Sequence, residues 1–100
     1  MIAIDNYDFE NLKNESETHI FNELAAQLEE IPYEVCRCND CLGDMAAIAL
    51  NRVVPKYRWS LLGSLYTASA MDDEEYRTSV GNAVRAAIET VRKNPSHDQK

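Results

Sequence analysis

The segment from Met45 to Leu50 constrains the fold most, because it is apolar on every side of the helix that its composition predicts. A cap at Asn39 or Asp40 and an end near Arg52 would bound this helix. A chain of 100 residues builds only a modest core. We therefore expect this helix to pack against its own chain on one side and against a partner on the other. The predicted fold class is all-α, a small helical domain of three to four helices.

Two amphipathic helices are predicted on either side of this segment, from apolar residues at three- and four-residue spacing. The first begins at Ser16 as its N-cap and is ended by Pro32. The last is capped by Asp72 and ends before Pro95. The first buried stripe is predicted to comprise Ile20, Phe21, Leu24, Leu28 and Ile31. The last comprises Tyr76, Val80, Ala83, Val84, Ala87, Ile88 and Val91.

The predicted domain covers residues 15–97, between a flexible N-terminus of residues 1–14 and a tail of residues 98–100. The stretch from Tyr57 to Ala70 is interpreted as a short extended or irregular connection. No apolar run reaches the roughly 18 residues of a membrane span, and the N-terminus lacks the basic region and apolar core of a signal peptide. We expect a cytoplasmic protein.

The net charge of −7 argues against duplex nucleic acid and anionic membranes as partners. The charge is unevenly distributed, however. Residues 45–71 contain no Asp or Glu but include Arg52, Lys56 and Arg58, so this segment carries +3 and the remainder −10. Two interpretations remain open: the cations pair with acidic residues of the flanking helices, or they form a local site for a compact phosphorylated ligand.

Aromatic residues lie among these cations. Tyr57 and Trp59 could stack on a base, and an arginine side chain presents a planar set of donors that matches a phosphate group. In the alternative interpretation both aromatic residues fill the core, and Arg52 only offsets the negative end of the preceding helix.

Three cysteines, Cys36, Cys38 and Cys41, form a C-x-C-x-x-C cluster. Disulfides are not expected in a cytoplasmic protein, whereas several close thiolates suit the tetrahedral Zn²⁺ ion. The embedded C-x-x-C also matches a redox motif, although no βαβ unit surrounds it, and unused structural thiols are a further alternative. We predict a structural zinc site.

A structural zinc site takes four ligands, so one is needed beyond the cysteines. We predict His97 in preference to His19, with Asp40, Asp44 or water as alternatives. A vacant fourth position is a feature of catalytic zinc. Nevertheless, the sequence shows no Ser-His-Asp arrangement, no paired catalytic carboxylates and no phosphate-binding glycine loop. We expect a binding protein and not an enzyme.

Residues 36–57 resemble the signature of the late competence development protein ComFB family. They read CRCNDCLGDMAAIALNRVVPKY: the cysteine cluster, an Asp, an alanine-rich run ending in Asn, then Arg, Pro and a Lys-Tyr pair. The resemblance extends over residues 15–97 and includes the ending from Asn94 to His97. Val54 stands where the family has the first of two prolines, and residues 58–60 replace a Val- or Thr-rich stretch.

The resemblance implies a symmetric homodimer, zinc at the cysteine turn, and a receptor for cyclic di-GMP or cyclic di-AMP. For such a receptor we also expect a downstream protein partner. Four residues match the family motif and are assigned to the ligand: Asn51, Arg52, Lys56 and Tyr57. Chemistry adds Arg58 and Trp59, and charge alone adds Arg77 and Arg85. The alternative is a protein-interaction adaptor with structural zinc, linked to competence and DNA uptake, without a small-molecule ligand.

Overall fold

The computed structural model describes residues 2–60 and 72–95. Those residues form three α-helices, a two-stranded sheet and a short 3-10 helix at Ile4–Asn6. The helices are α1 (Ser16–Glu30), α2 (Asn39–Leu50) and α3 (Glu74–Lys93), and the strands are β1 (Lys13–Asn14) and β2 (Tyr57–Arg58). The predicted helical class is confirmed. None of the helices in this described part combines the length and apolarity that crossing a bilayer requires.

The small sheet joins the chain before α1 to the segment after α2. β1 and β2 are antiparallel, with Lys13 opposite Arg58 and Asn14 opposite Tyr57. The backbone N–H of Glu15 also donates to the carbonyl of Lys56 at 2.8 Å. A ladder of two residues is too short to show the alternation that predicts a strand, so β1 falls inside the segment for which the sequence predicted no structure.

Helix α1 begins differently from the prediction. Ser16 is not the N-cap but the first helical residue, and it is fully buried. The side-chain oxygen of Asn14 accepts the N–H of Ser16 at 3.1 Å and so satisfies one of the unpaired donors of the helix start. Ile20, Leu24 and Leu28 are buried as predicted, but Phe21 is half exposed, because the covered stripe follows four-residue spacing.

Helix α2 packs along α3 and contacts α1. Its N-cap is Cys38 and not Asn39 or Asp40, and it ends at Leu50, before the predicted Arg52. Its own chain covers one side, where Cys41, Met45 and Ala49 are buried; the other side is partly open.

Helix α3 supplies the longest buried stripe. All seven residues predicted for it are buried. Its N-cap is Asp73, whose carboxylate accepts the N–H groups of Glu75 and Tyr76, and not the predicted Asp72. Either aspartate fits the cap preference, so sequence alone did not separate them. The stripe places Tyr76 at the end of the core nearest the segment after α2.

Candidate functional site

The cysteine cluster forms a compact group of metal donors at the start of α2. The three Sγ atoms lie within 4.8 Å of one another. Around one tetrahedral zinc ion, bonds of about 2.3 Å separate the sulfur atoms by about 3.8 Å, so small side-chain rotations would bring them into place. Cys41 is buried, and Cys36 and Cys38 are partly buried. The cluster could therefore hold a metal ion.

The start of α2 directs a backbone donor at one of these sulfur atoms. The backbone N–H of Cys41 donates to Sγ of Cys38 at 3.4 Å. A sulfur atom at this position lies at the positive end of the helix dipole, which stabilises a thiolate. Arg37 attaches the turn to the preceding helix, because its Nη2 donates to the carbonyl of Leu28 at 2.6 Å.

The fourth ligand is not found among the described residues. Within residues 2–60 and 72–95, no His, Asp or Glu side chain joins the three cysteines, which separates Asp40 and Asp44 from the group. His19 lies elsewhere, with Nδ1 at 2.8 Å from the hydroxyl oxygen of Tyr76. His97, the residue predicted for this role, lies outside the described residues.

A cleft of about 350 Å³ lies between the segment after α2 and the first turns of α3. It is lined by Arg52, Val53, Val54, Lys56, Asp73, Glu75, Tyr76 and Ser79. In the part of the chain that the structure describes, neither Arg52 nor Lys56 makes an ion pair. The Lys56 ammonium lies 4.9 Å from the centre of the Tyr76 ring, a cation–π contact. The structure thus brings two predicted ligand residues together beside an open cleft.

The other predicted ligand residues lie apart from this cleft. Tyr57 and Arg58 line a second concavity of about 500 Å³ beside α1, and the guanidinium of Arg58 pairs with the carboxylate of Glu15. Trp59 packs against Phe9, with ring centres 6.3 Å apart. Tyr57 and Trp59 are 60% and 54% exposed, so the interpretation of both as core residues is wrong.

Three further predicted residues do not line this cleft. Asn51 is the exposed C-cap of α2, and its N–H donates to the carbonyl of Ala47 at 3.1 Å. Arg85 donates to the side chain of Asn82 at 2.9 Å. Neither Arg77 nor Arg85 lines the cleft.

The similarity of this chain to known proteins assigns it to a family. The family profile described as late competence development protein ComFB matches residues 13–95. The chain belongs to the ComFB family. The fold is similar to that of a solved structure described as the late competence protein ComFB from Bacillus subtilis, with a TM-score of 0.70 and 24% identity over 89% of this chain and 99% of that chain. No curated protein sequence shows significant similarity.

A polar cluster behind the cleft of this ComFB domain was not predicted. The Tyr76 hydroxyl lies 3.0 Å from Oγ of Ser16 and 2.8 Å from Nδ1 of His19. Ser16 Oγ donates to the carbonyl of Val54 at 2.8 Å, in the segment that lines the cleft. The sequence held one sign of this cluster. Tyr76 is the polar member of a stripe otherwise made of Val, Ala and Ile, and the first predicted helix carries a Ser and a His three residues apart.

The charge state of His19 is set by its place in this cluster. Burial lowers the pKa of His19 below its ordinary value, the Glu15 carboxylate raises it, and the Lys56 ammonium lowers it. Burial disfavours the charged imidazolium, and a neighbouring cation acts in the same direction. The fold therefore favours neutral His19.

Proposed function

We propose that this ComFB domain is a cytoplasmic signalling protein that binds a cyclic dinucleotide, cyclic di-GMP or cyclic di-AMP, in the cleft beside Arg52 and Lys56. The observation that carries the proposal is that both cations line one cleft and make no ion pair with any described residue. A cyclic dinucleotide has two phosphate groups, and charge-assisted contacts contribute about 1.5–3 kcal/mol each.

The shape of the cleft supports a small-molecule ligand. Its volume of about 350 Å³ lies near the lower end of the range for ligand sites, roughly 300–1,000 Å³. The carboxylates of Asp73 and Glu75 both oppose an anion there, and Asp73 also caps α3. Two cations and two carboxylates therefore line the cleft, and the N–H groups at the start of α3 offset part of the charge of Asp73.

Isothermal titration with cyclic di-GMP and cyclic di-AMP tests this proposal. We expect a binding isotherm with at least one of them, and a loss of about 100-fold in affinity in the Arg52→Ala, Lys56→Ala double variant. Lys93→Ala is the matched control, because Lys93 lies 66% exposed at the far end of α3 and its removal should leave binding unchanged. Absence of heat with both dinucleotides at micromolar concentrations would contradict the proposal.

The metal in this proposal is a structural Zn²⁺ held by Cys36, Cys38 and Cys41. Three thiolates bind Zn²⁺ in preference to Mg²⁺ or Ca²⁺, because those cations prefer oxygen ligands. The sulfur separations support the assignment, and His97 is the proposed fourth ligand. Metal analysis of purified protein, with a His97→Ala variant beside it, tests ion and ligand together.

We also propose a symmetric homodimer, formed through the groove between α1 and α2. This groove of about 510 Å³ is mostly apolar, and the half-exposed Phe21 lines it. Glu29 and Arg37 lie on the same groove without ion pairs to described residues. In a dimer with a twofold axis through this groove, Glu29 of one copy would face Arg37 of the second copy, and the reverse. Light scattering tests the dimer, and Phe21→Asp should yield monomers.

The domain is proposed to bind and not to catalyse. Among the described residues, Ser16 and His19 both contact the hydroxyl group of Tyr76. Ser16 is fully buried, so a substrate could not reach it as a nucleophile.

A second candidate function is a competence-linked adaptor for a downstream protein partner, favoured by the exposed aromatic pair Phe9 and Trp59. A partner whose capture survives the Arg52→Ala, Lys56→Ala change but not Trp59→Ala would support the adaptor.

A further inference from the structure

One series of hydrogen bonds runs from α1 through α3 to the wall of the cleft. Nδ1 of His19 lies 2.8 Å from the Tyr76 hydroxyl, which lies 3.0 Å from Oγ of Ser16. Ser16 Oγ lies in turn 2.8 Å from the carbonyl oxygen of Val54. Two side chains of α1 and one of α3 are thus linked in a series that ends on one backbone atom of the cleft-lining segment.

The direction of this series follows from counting protons. The Val54 carbonyl can only accept, so the single hydroxyl proton of Ser16 is used in donating to it. Ser16 must then accept from Tyr76, whose own single proton is used in that bond. The Tyr76 oxygen is left to accept from His19, so Nδ1 of His19 carries a proton. Every donor in the series has one acceptor.

The same segment is attached to the start of α1 at two further points. The backbone N–H of Lys56 donates to the side-chain oxygen of Asn14 at 2.8 Å, and the Lys56 carbonyl accepts the N–H of Glu15 at 2.8 Å. The Lys56 side chain crosses the Tyr76 ring, 4.9 Å from its centre. Tyr76 therefore orders both the backbone of this segment, through Ser16, and its cation.

We propose that His19, Tyr76 and Ser16 are positioning residues that hold the Val54–Lys56 segment where an anionic ligand meets the Lys56 ammonium. This role rests on the proposed function. Packing alone does not require polar groups here, since Ser16 and Tyr76 are 0% and 4% exposed and buried polar groups are costly unless paired. Their pairing is directed at the segment that lines the cleft.

The first test needs no ligand. Nitrogen-15 NMR of the imidazole at pH 8 should show His19 protonated on Nδ1, its signal being the one that disappears in His19→Asn. In Tyr76→Phe, which keeps the ring, His19 should change to the Nε2-protonated tautomer. The Lys56 amide should exchange with solvent about tenfold faster, while the Met45 amide in the core of α2 should not change. Tyr33→Phe, which removes an exposed phenol, is the control.

The second test uses cyclic di-GMP and cyclic di-AMP. Tyr76→Phe and His19→Leu should raise the dissociation constant about tenfold, which corresponds to the loss of one net hydrogen bond. His19→Asn should stay within about twofold of the unmodified chain, because its side-chain N–H replaces the Nδ1–H donor.

The outcomes separate the two ideas. An Nε2-protonated His19 in the unmodified chain, or exchange that accelerates equally at Lys56 and Met45, would overturn the positioning role. The expected tautomer and exchange pattern, together with no binding of either dinucleotide, would support positioning of the segment and overturn the proposed ligand instead.

Discussion

The carboxylate of Glu15 pairs with the guanidinium of Arg58 across the junction of β2 and α1. One cation of the acid-free segment is thus neutralised within the fold, as the first interpretation of that segment held. Arg52 and Lys56 make no such pair with a described residue, in line with the second interpretation. The first interpretation therefore applies to Arg58, and the second stays a prediction for Arg52 and Lys56.

This division predicts unequal effects of removing each cation. Arg58→Gln should change the affinity for cyclic di-GMP or cyclic di-AMP by less than about twofold, whereas Lys56→Gln should weaken it about tenfold or more. The loss of a partly exposed ion pair should lower the free energy of unfolding by at most about 1 kcal/mol. Titration calorimetry and urea unfolding measure the two quantities. Equal loss of affinity in both variants would place the ligand nearer to β2.

Glu75 provides a test with the opposite sign. Its carboxylate lines the cleft together with Arg52 and Lys56 and opposes an anionic ligand. Glu75→Gln should therefore raise the affinity for a cyclic dinucleotide severalfold, and the gain should shrink as salt is added because such exposed charges are screened. Glu74→Gln is the matched control, being an adjacent residue of the same helix turn that does not line the cleft. A fall in affinity in Glu75→Gln would mean that this carboxylate accepts a donor of the ligand.

The helices were predictable where hydrophobic spacing determines them. The stripe of α3 was predicted residue by residue because each of its members faces the core. Phe21 was misassigned because it adjoins Ile20, and spacing alone does not decide which neighbour lies at the edge of a buried stripe. The cap at Asp73 was misassigned because Asp72 has the same capping ability, and the cap at Cys38 was missed because cysteine is not among the preferred N-cap residues. In both cases the geometry of the turn selects the cap.

The site was predictable only as far as local sequence carries it. The cysteines lie within one turn, so their proximity follows from spacing. The grouping of Ser16, His19 and Tyr76 depends on how α1 meets α3, across 57 and 60 positions of chain. Hydrophobic patterning fixes which helix faces meet but not which polar atoms along them come into register. For that reason the polar cluster behind the cleft could not be predicted from the sequence.

His19 should make stability depend on pH. Its pKa is lowered in the folded chain, chiefly by burial, so between that value and the ordinary value of about 6.5 the unfolded chain binds more protons. The stabilising contribution is therefore complete above about pH 6.5 and is lost as the pH falls through the folded pKa. Urea unfolding from pH 7.5 to 5.5 should show this loss in the unmodified chain. His19→Asn should show a smaller loss, and identical pH profiles would contradict the assignment.

Cys38→Ser distinguishes a metal ligand from a helix cap. Cys38 accepts the N–H of Cys41 as the N-cap of α2, and serine is a strongly preferred cap, so without metal the substitution should leave the melting temperature unchanged or slightly higher. With structural zinc, the loss of one ligand removes binding energy that is also folding energy. The melting temperature should then fall by about 10 °C, corresponding to about 2 kcal/mol in a domain of this size. A chelator should lower the melting temperature of the unmodified chain and have little further effect on Cys38→Ser, and thermal melts with and without chelator measure both. An unmodified chain that is insensitive to chelator, with no metal found by elemental analysis, would mean that the three thiols serve the fold without an ion.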